Sequence, residues 1–407
     1  MRYKILAPAV LKTVVQLPAS KSISNRVLIM HALSEADTPL KNLSDCDDTN
    51  VMEAALSSVD EVIDIKAAGT AMRFLTAFFA IRDGVHVLTG TERMKNRPIK
   101  ILVDALRQLG AQIDYLGKEG FPPLRIEGRV LAGGEVTLDG SVSSQYISAL
   151  LMIAPMMKNG LVLHLTGTII SRPYIRLTLA LMREFGIESK WHDDTIEITS
   201  QQYMPRTYTV ESDWSAASYW YEMAALNKNS EIELLGLYEH SHQGDARLVE
   251  IFEKLGVSTL FTEHGVKLRH NGNCVQKFCY DFVNQPDLAQ TFTVTAAMMN
   301  IPFRFDGLQT LKIKETDRIA ALITELGKWG YRLKEIDNAS IEWTGEYDSP
   351  AVSQAIDTYE DHRMALAFAP AALVKKQVEI NNPEVISKSY PNYWADLQKA
   401  GFLINEE

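Results

Sequence analysis

Cysteine is scarce: the 407 residues hold three, Cys46, Cys274 and Cys279. They cannot build a disulfide framework and show no metal-ligand spacing, which fits a reducing compartment. Long apolar runs are missing as well. No segment approaches the roughly 20 apolar residues of a membrane span, and the opening MRYKILAPAVLKTVVQL is broken by Pro8 and Lys12, so it reads as a β-strand and not as a leader. A surplus of positive charge is also absent. The 51 acidic residues outnumber 41 basic ones, a formal charge of −10, which speaks against a nucleic-acid or membrane-surface role. Any cationic site must therefore be local. The expectation is a soluble cytoplasmic chain, long enough for two domains of about 200 residues each.

What the chain does contain is a recurring unit. Helices rich in small and apolar residues on nearly all sides appear as SKSISNRVLIMHAL from Ser20, AGTAMRFLTAFFA from Ala68, SSQYISALLMIAP from Ser143, SDWSAASYWYEMAA from Ser212, PDLAQTFTVTAAMM from Pro286 and DHRMALAFAPAAL from Asp361. A helix apolar all round is buried. Between them lie amphipathic helices, frequently ending in glycine: RPIKILVDALRQLG, RPYIRLTLALMREFG, GDARLVEIFEKLG, TDRIAALITELG and SYPNYWADLQKAG, with DDTNVMEAALSS as a weaker first member. Short alternating segments such as AQIDYL, IESKWH and YRLKEI follow most of these glycines and read as strands. One buried helix, one covering helix and a few strands make a unit of roughly 70 residues, present six times. Split three and three near Val210 to Asp213, they predict two similar α/β domains, with the cleft between them as the default ligand site.

Charge collects at the starts of the buried helices or just before the covering ones. Lys21, Ser22 and Arg26 belong to the first unit, Gly69, Thr70 and Arg73 to the second, and Ser143, Ser144 and Gln145 to the third. Asp213 opens the fourth, Asp287 the fifth, and Asp361, His362 and Arg363 the sixth, with Arg97, Arg172, Lys314, Glu315, Arg318 and Lys388 around the covering helices. Helix N-termini carry unpaired N–H groups and partial positive charge, so several of them joined by Lys and Arg make an anion trap. In KETDR, Lys314 and Arg318 lie four apart with Glu315 between them. A carboxylate held there can move a proton while the cations hold an anionic substrate. In isolation the same spacing fits an exposed ion-pair network.

Taken in order, LPASKSISNR, AGTAMR, RMKNRPI, GSVSSQ, SRPY, QPD, KETDR, DHRM and SKSYPNY resemble the EPSP synthase family from Leu17 to about Gly401. The resemblance implies two domains of three βαβαββ units each, of the inside-out α/β barrel type, with buried parallel helices surrounded by sheets and outer helices. The expected domains are 19–212 and, joined to the N-terminal strand 1–18, 213–407. It further implies transfer of the enolpyruvyl group of phosphoenolpyruvate to shikimate 3-phosphate, in a monomer needing no metal or redox cofactor. By similarity Lys21 touches both substrates. Ser22, Arg26, Ser143, Ser144, Gln145, Ser171, Tyr174, Asp287 and Lys314 would hold shikimate 3-phosphate, while Gly69, Arg97, Gln145, Arg318, Arg363 and Lys388 would hold phosphoenolpyruvate. Asp287 becomes the base toward the attacking 5-hydroxyl, and Glu315, assisted by Lys21, the proton donor to the methylene carbon. Where relatives carry Asn-Ala-Gly-Thr this chain has Ala67-Ala68-Gly69-Thr70, Phe74 replaces a common proline, and Thr310 stands where an asparagine is frequent. The related transferase acting on UDP-N-acetylglucosamine commonly uses a loop cysteine, and TERMKNRPIK has none. A catalytically silent binder of phosphorylated metabolites is the other reading, and retention of Asp287, Glu315 and Lys21 counts against it.

Overall fold

The computed structural model describes residues 1–35 and 37–407. It is α/β throughout and divides into two compact units, Met1–Pro18 with Glu211–Glu407, and Ala19–Val210. The chain leaves the second of these after Val210 because Ser212 is already tied into the first. Its N–H donates to the Gly236 carbonyl at 3.0 Å and its hydroxyl to that of Leu17 at 3.4 Å.

The second repeat displays the recurring arrangement whole: strand Val62–Asp64, helix Gly69–Ile81, strand Gly84–Thr89, helix Lys100–Gln108, then strands Gln112–Tyr115 and Leu124–Gly128. The first two strands pair in parallel, the second pairs antiparallel with the fourth, and the fourth with the third. Parallel neighbours require a crossover, and the buried helix supplies it. The third and fifth repeats have the same order.

The remaining repeats borrow strands from elsewhere in the chain. In the first, Leu40–Lys41 pairs in parallel with Tyr208–Thr209 from the end of the unit. In the fourth, Lys12–Gln16 stands where the first strand belongs, parallel to Glu231–Leu235. In the sixth, Arg2–Leu6 runs antiparallel between Gln377–Asn381 and Leu403–Glu406. The opening segment, expected as one strand, is therefore two strands in two sheets. Pro8 lies in the break, where its missing N–H costs no ladder bond.

The buried helices are Lys21–Leu33, Gly69–Ile81, Ser144–Ile153, Trp214–Leu226, Ala289–Met298 and His362–Phe368. Their small residues let neighbouring backbones approach, and each unit packs its helices into its own hydrophobic core. Asp213 accepts from the Ala216 N–H and Asp361 from that of Arg363, both at 2.9 Å, so side chains satisfy donors that the helix start leaves open. The sixth helix stops early because Pro370 follows in a 3-10 turn.

Covering helices Lys100–Gln108 and Arg172–Glu184 do stop ahead of glycines in the left-handed region, Gly110 (φ +104°) and Gly186 (φ +84°). Two others depart from expectation. Helix Arg318–Lys328 runs through Gly327 and ends before Gly330 (φ +91°) instead. GDARLVEIFEKLG forms only a 3-10 turn, Gly244–Arg247, and the short helix Leu248–Glu253. Its terminal Gly256 sits inside strand Leu255–Phe261, at a break in pairing register between Leu255 and Val257. Both of those neighbours are fully buried, so the sheet's claim on their side chains overrides the helix signal. Among the described residues, no helix is long and apolar enough to cross a membrane.

Candidate active site

In the Glu211–Glu407 unit, three turns deliver charge to one point. Asp287 lies in the 3-10 turn Pro286–Leu288 leading into the fifth buried helix, Lys314 and Glu315 precede helix Arg318–Lys328, and Asp361 and Arg363 open the sixth. The Asp287 carboxylate is 3.0 Å from Arg363 Nη2, 3.2 Å from Arg318 Nη1 and 3.8 Å from Lys314 Nζ. Arg318, only 2 % exposed, also grips Asp361 through Nε (2.7 Å) and Nη2 (3.3 Å), and Glu315 through Nη2 (3.0 Å). Burial by itself would raise the Asp287 carboxyl, but Arg363, Lys314 and Arg318 outweigh it and hold it far below the usual carboxylate range. For Arg318 the balance runs the same way: burial would lower it, and Asp361, Glu315 and Asp287 raise it. Lys314 is lowered, its desolvation exceeding the pull of Asp287. Lys388 ends the 3-10 turn Pro383–Lys388, which packs on the helix carrying Arg363.

In the Ala19–Val210 unit, Lys21 pairs with Asp48 at 2.9 Å. Arg26 goes inward instead: it is 2 % exposed, donates from Nε to Thr178 Oγ1 (2.7 Å), from Nη2 to Ser148 Oγ (3.1 Å) and from Nη1 to the Ser22 carbonyl (2.8 Å), and lies 5.3 Å from the Phe74 ring centroid. Desolvation draws its pKa down to about 10, against the opposing pull of Tyr174. The Thr178 hydroxyl in turn donates to the Tyr174 carbonyl at 2.9 Å. Ser171, left-handed at φ +54°, turns the chain into the helix that carries Tyr174. A second group joins the next two buried helices: Gln145 Nε2 donates to Thr70 Oγ1 at 3.1 Å, and Ser143 accepts from the Gln145 N–H at 3.4 Å, with Ser144 the first helical residue. Gly69 opens its helix directly under Arg97. A β-carbon there would stand 2.9 Å from Arg97 Cζ and 2.8 Å from Arg73 Nη1.

The structure thus joins Asp287, Lys314, Glu315, Arg318 and Arg363 in one network, links Ser22, Arg26 and Tyr174 in another, and sets Gly69 and Arg97 together beside Gln145. Several participants gave no sign of their role in the sequence, Thr178 and Ser148 around Arg26 among them. Asp48, the counter-ion of Lys21, is visible only as one of several acids in DCDDTN. Arg73 was noted but given no part, and its guanidinium donates to the Gly69 carbonyl at 2.6 Å. Tyr219 receives a hydrogen bond from Arg363 Nη1 at 3.3 Å; an aromatic within an apolar helix gives no sign of that.

Two solved structures of EPSP synthase from Acinetobacter baumannii match the chain with TM-scores of 0.79 and 0.78, each at 19% identity and covering 100% of both chains. The fold is therefore that of EPSP synthases. The sequence matches the family model for EPSP synthase (3-phosphoshikimate 1-carboxyvinyltransferase) over residues 5–60 and 54–397. A 3-phosphoshikimate 1-carboxyvinyltransferase of Bacteroides fragilis (strain YCH46) is 60% identical over 405 residues, 99% of each chain. One from Vibrio cholerae serotype O1 (strain M66-2) is 38% identical over 410 residues, 93% of this chain and 95% of that protein. The chain belongs to the EPSP synthase family.

Proposed function

We propose that this chain transfers the carboxyvinyl group of phosphoenolpyruvate to the 5-hydroxyl of shikimate 3-phosphate, releasing phosphate, in the shikimate pathway of aromatic amino-acid biosynthesis. Family membership supports the reaction, and the observation that carries the chemistry is the Asp287 cluster, where two arginines and a lysine meet three carboxylates. Both substrates are phosphorylated carboxylates, and Arg is suited to bidentate contact with either group. Arg97, Arg318, Arg363 and Lys388 take phosphoenolpyruvate beside Gly69. Ser22, Arg26, Ser143, Ser144, Gln145, Ser171, Tyr174 and Lys314 take shikimate 3-phosphate, with Lys21 touching both. Asp287 draws the proton from the 5-hydroxyl as its oxygen bonds to the central carbon of phosphoenolpyruvate, and Glu315, with Lys21, delivers a proton to the methylene. The resulting tetrahedral intermediate loses a methyl proton and its phosphate, restoring the double bond as a vinyl ether. Each unit forms an inside-out barrel, and excluding water from the loaded site keeps the reacting groups in register. A cytoplasmic monomer completes the reading.

Phosphate should appear only when both substrates are mixed with the protein; none above the single-substrate background would refute the activity. Glu315→Gln should slow turnover about a hundredfold, the scale of general acid catalysis, while shikimate 3-phosphate binding measured by calorimetry stays near native. Equal loss of binding would point to a purely structural ion pair. Gly69→Ala pushes the Arg97 guanidinium aside, so the KM for phosphoenolpyruvate should rise about tenfold, equivalent to about 1.4 kcal/mol, with little change in that for shikimate 3-phosphate. An unaltered phosphoenolpyruvate KM would remove Arg97 from the site.

A further inference from the structure

One buried acid beside this cluster has no part in the reaction described. Asp245 lies in the 3-10 turn Gly244–Arg247 and is 4 % exposed. Its Oδ2 accepts a hydrogen bond from Ser215 Oγ, in the first turn of the fourth buried helix. Its Oδ1 has no hydrogen-bond partner among the described residues. The charged and titratable groups that face it are Asp287 ahead of the fifth helix, Arg363 in the sixth, Asp213 at the start of the fourth, and Tyr280 at the end of the adjoining strand Phe278–Asp281. Asp245 forms no ion pair among the described residues. The nearby cations are already engaged: Lys314 and Arg363 pair with Asp287, and Arg318 with Asp287, Glu315 and Asp361. An ionised Asp245 would add a further negative charge at the place where anions must bind.

We propose that Asp245 governs this site's grip on anions: protonated, it leaves Arg363 and its neighbours to take a phosphate or carboxylate, and ionised, it competes with that ligand. The identity of the ligand rests on the function proposed above; the charge balance does not. Burial and then the charge of Asp287 push the Asp245 carboxyl up to about 7, opposed by Ser215 and Arg363. The sign follows directly. Raising the pH through neutrality ionises Asp245, so affinity for an anion falls as pH rises. Ionisation of a phosphate monoester, whose second pKa is about 6, works in the opposite direction.

Sulfate, which keeps one charge state over this range, is a suitable probe. Its dissociation constant for the native chain, read from the protein's resistance to urea at graded sulfate, should rise about tenfold between about pH 6 and about pH 8.5. Asp245→Asn, the same shape as the neutral acid, should hold the low-pH value throughout. Parallel weakening in native and variant, or none in either, overturns the proposal. Infrared titration of the native chain adds a test that needs no variant. One protonated carboxyl should ionise across this interval while Glu222, fully buried and held well above the usual range by its desolvation, stays protonated. No change in the protonated-carboxyl band would count equally against it. A sulfate effect in a chain that releases no phosphate from the two substrates would sink the proposed reaction and leave this inference standing.

Discussion

Replacing Arg318 with methionine should lower stability by about 3–5 kcal/mol at neutral pH, the cost of stranding buried charges by removing their partner. The guanidinium is 2 % exposed and serves three carboxylates, the bidentate contact with Asp361 being the least replaceable because Asp361 is fully buried. Methionine fills much of the volume, so the loss is electrostatic and not a cavity effect. Its pH dependence identifies it. In the native chain Asp287 is held below its unfolded pKa, so its contribution is present above that unfolded value and disappears only as strong acid titrates the folded state. In the variant the abandoned carboxyls are raised by burial with less to offset it. The folded state then binds more protons than the unfolded one, and stability must increase as pH falls. Urea unfolding should show the deficit shrinking between about pH 8 and about pH 5.5. A deficit below about 1 kcal/mol throughout that range would mean that Arg318 is an ordinary surface partner.

Much of this architecture is legible in the sequence because its signals are local. Six small-residue helices, their Ser and Asp caps and the strands after Gly110 and Gly186 each follow from a few neighbouring residues. The borrowed strands are not legible that way. Nothing within KTVVQ says that it will lie beside Glu231–Leu235, more than 200 residues away, since only the vacant position in that sheet selects it. Gly327 and Gly256 mislead for a related reason: a glycine marks a possible helix end, and tertiary packing decides whether the helix takes it. The candidate site divides similarly. KETDR and DHRM disclose their cations, yet the partner of each cation depends on the meeting of three separate turns. Arg26 carries the same charge as Arg318, but spends three donors on Thr178, Ser148 and Ser22 and rests against Phe74. Glu222, hidden in an apolar pattern, is a buried acid with no counterpart in helix-periodicity reasoning.

Asp287→Asn should reduce kcat by a hundredfold to ten-thousandfold, the range for a general base, while phosphoenolpyruvate binds as well as to the native chain or more tightly. The reason lies in the three cations at 3.0, 3.2 and 3.8 Å. One unit charge at 4 Å is worth roughly 4 kcal/mol at an effective dielectric of 20, enough to move a carboxyl pKa by about 3. With three of them present the carboxylate of the free protein is a poor proton acceptor. Anionic substrates change that balance, because a phosphate or carboxylate settling among Lys314, Arg318 and Arg363 cancels much of their pull on Asp287. The base gains strength only once the site is loaded, so the proton leaves the 5-hydroxyl when its acceptor carbon is already in place. Asparagine removes both the proton acceptor and the competitor for the cations, hence the opposite movements of turnover and affinity. A structural ion pair predicts the reverse pattern, with affinity and stability falling together and kcat within tenfold of native. Calorimetric titration with phosphoenolpyruvate in the presence of shikimate 3-phosphate, beside initial rates of phosphate release, separates the two, because only a base that substrate itself uncovers links slower chemistry to an undiminished hold on the anion.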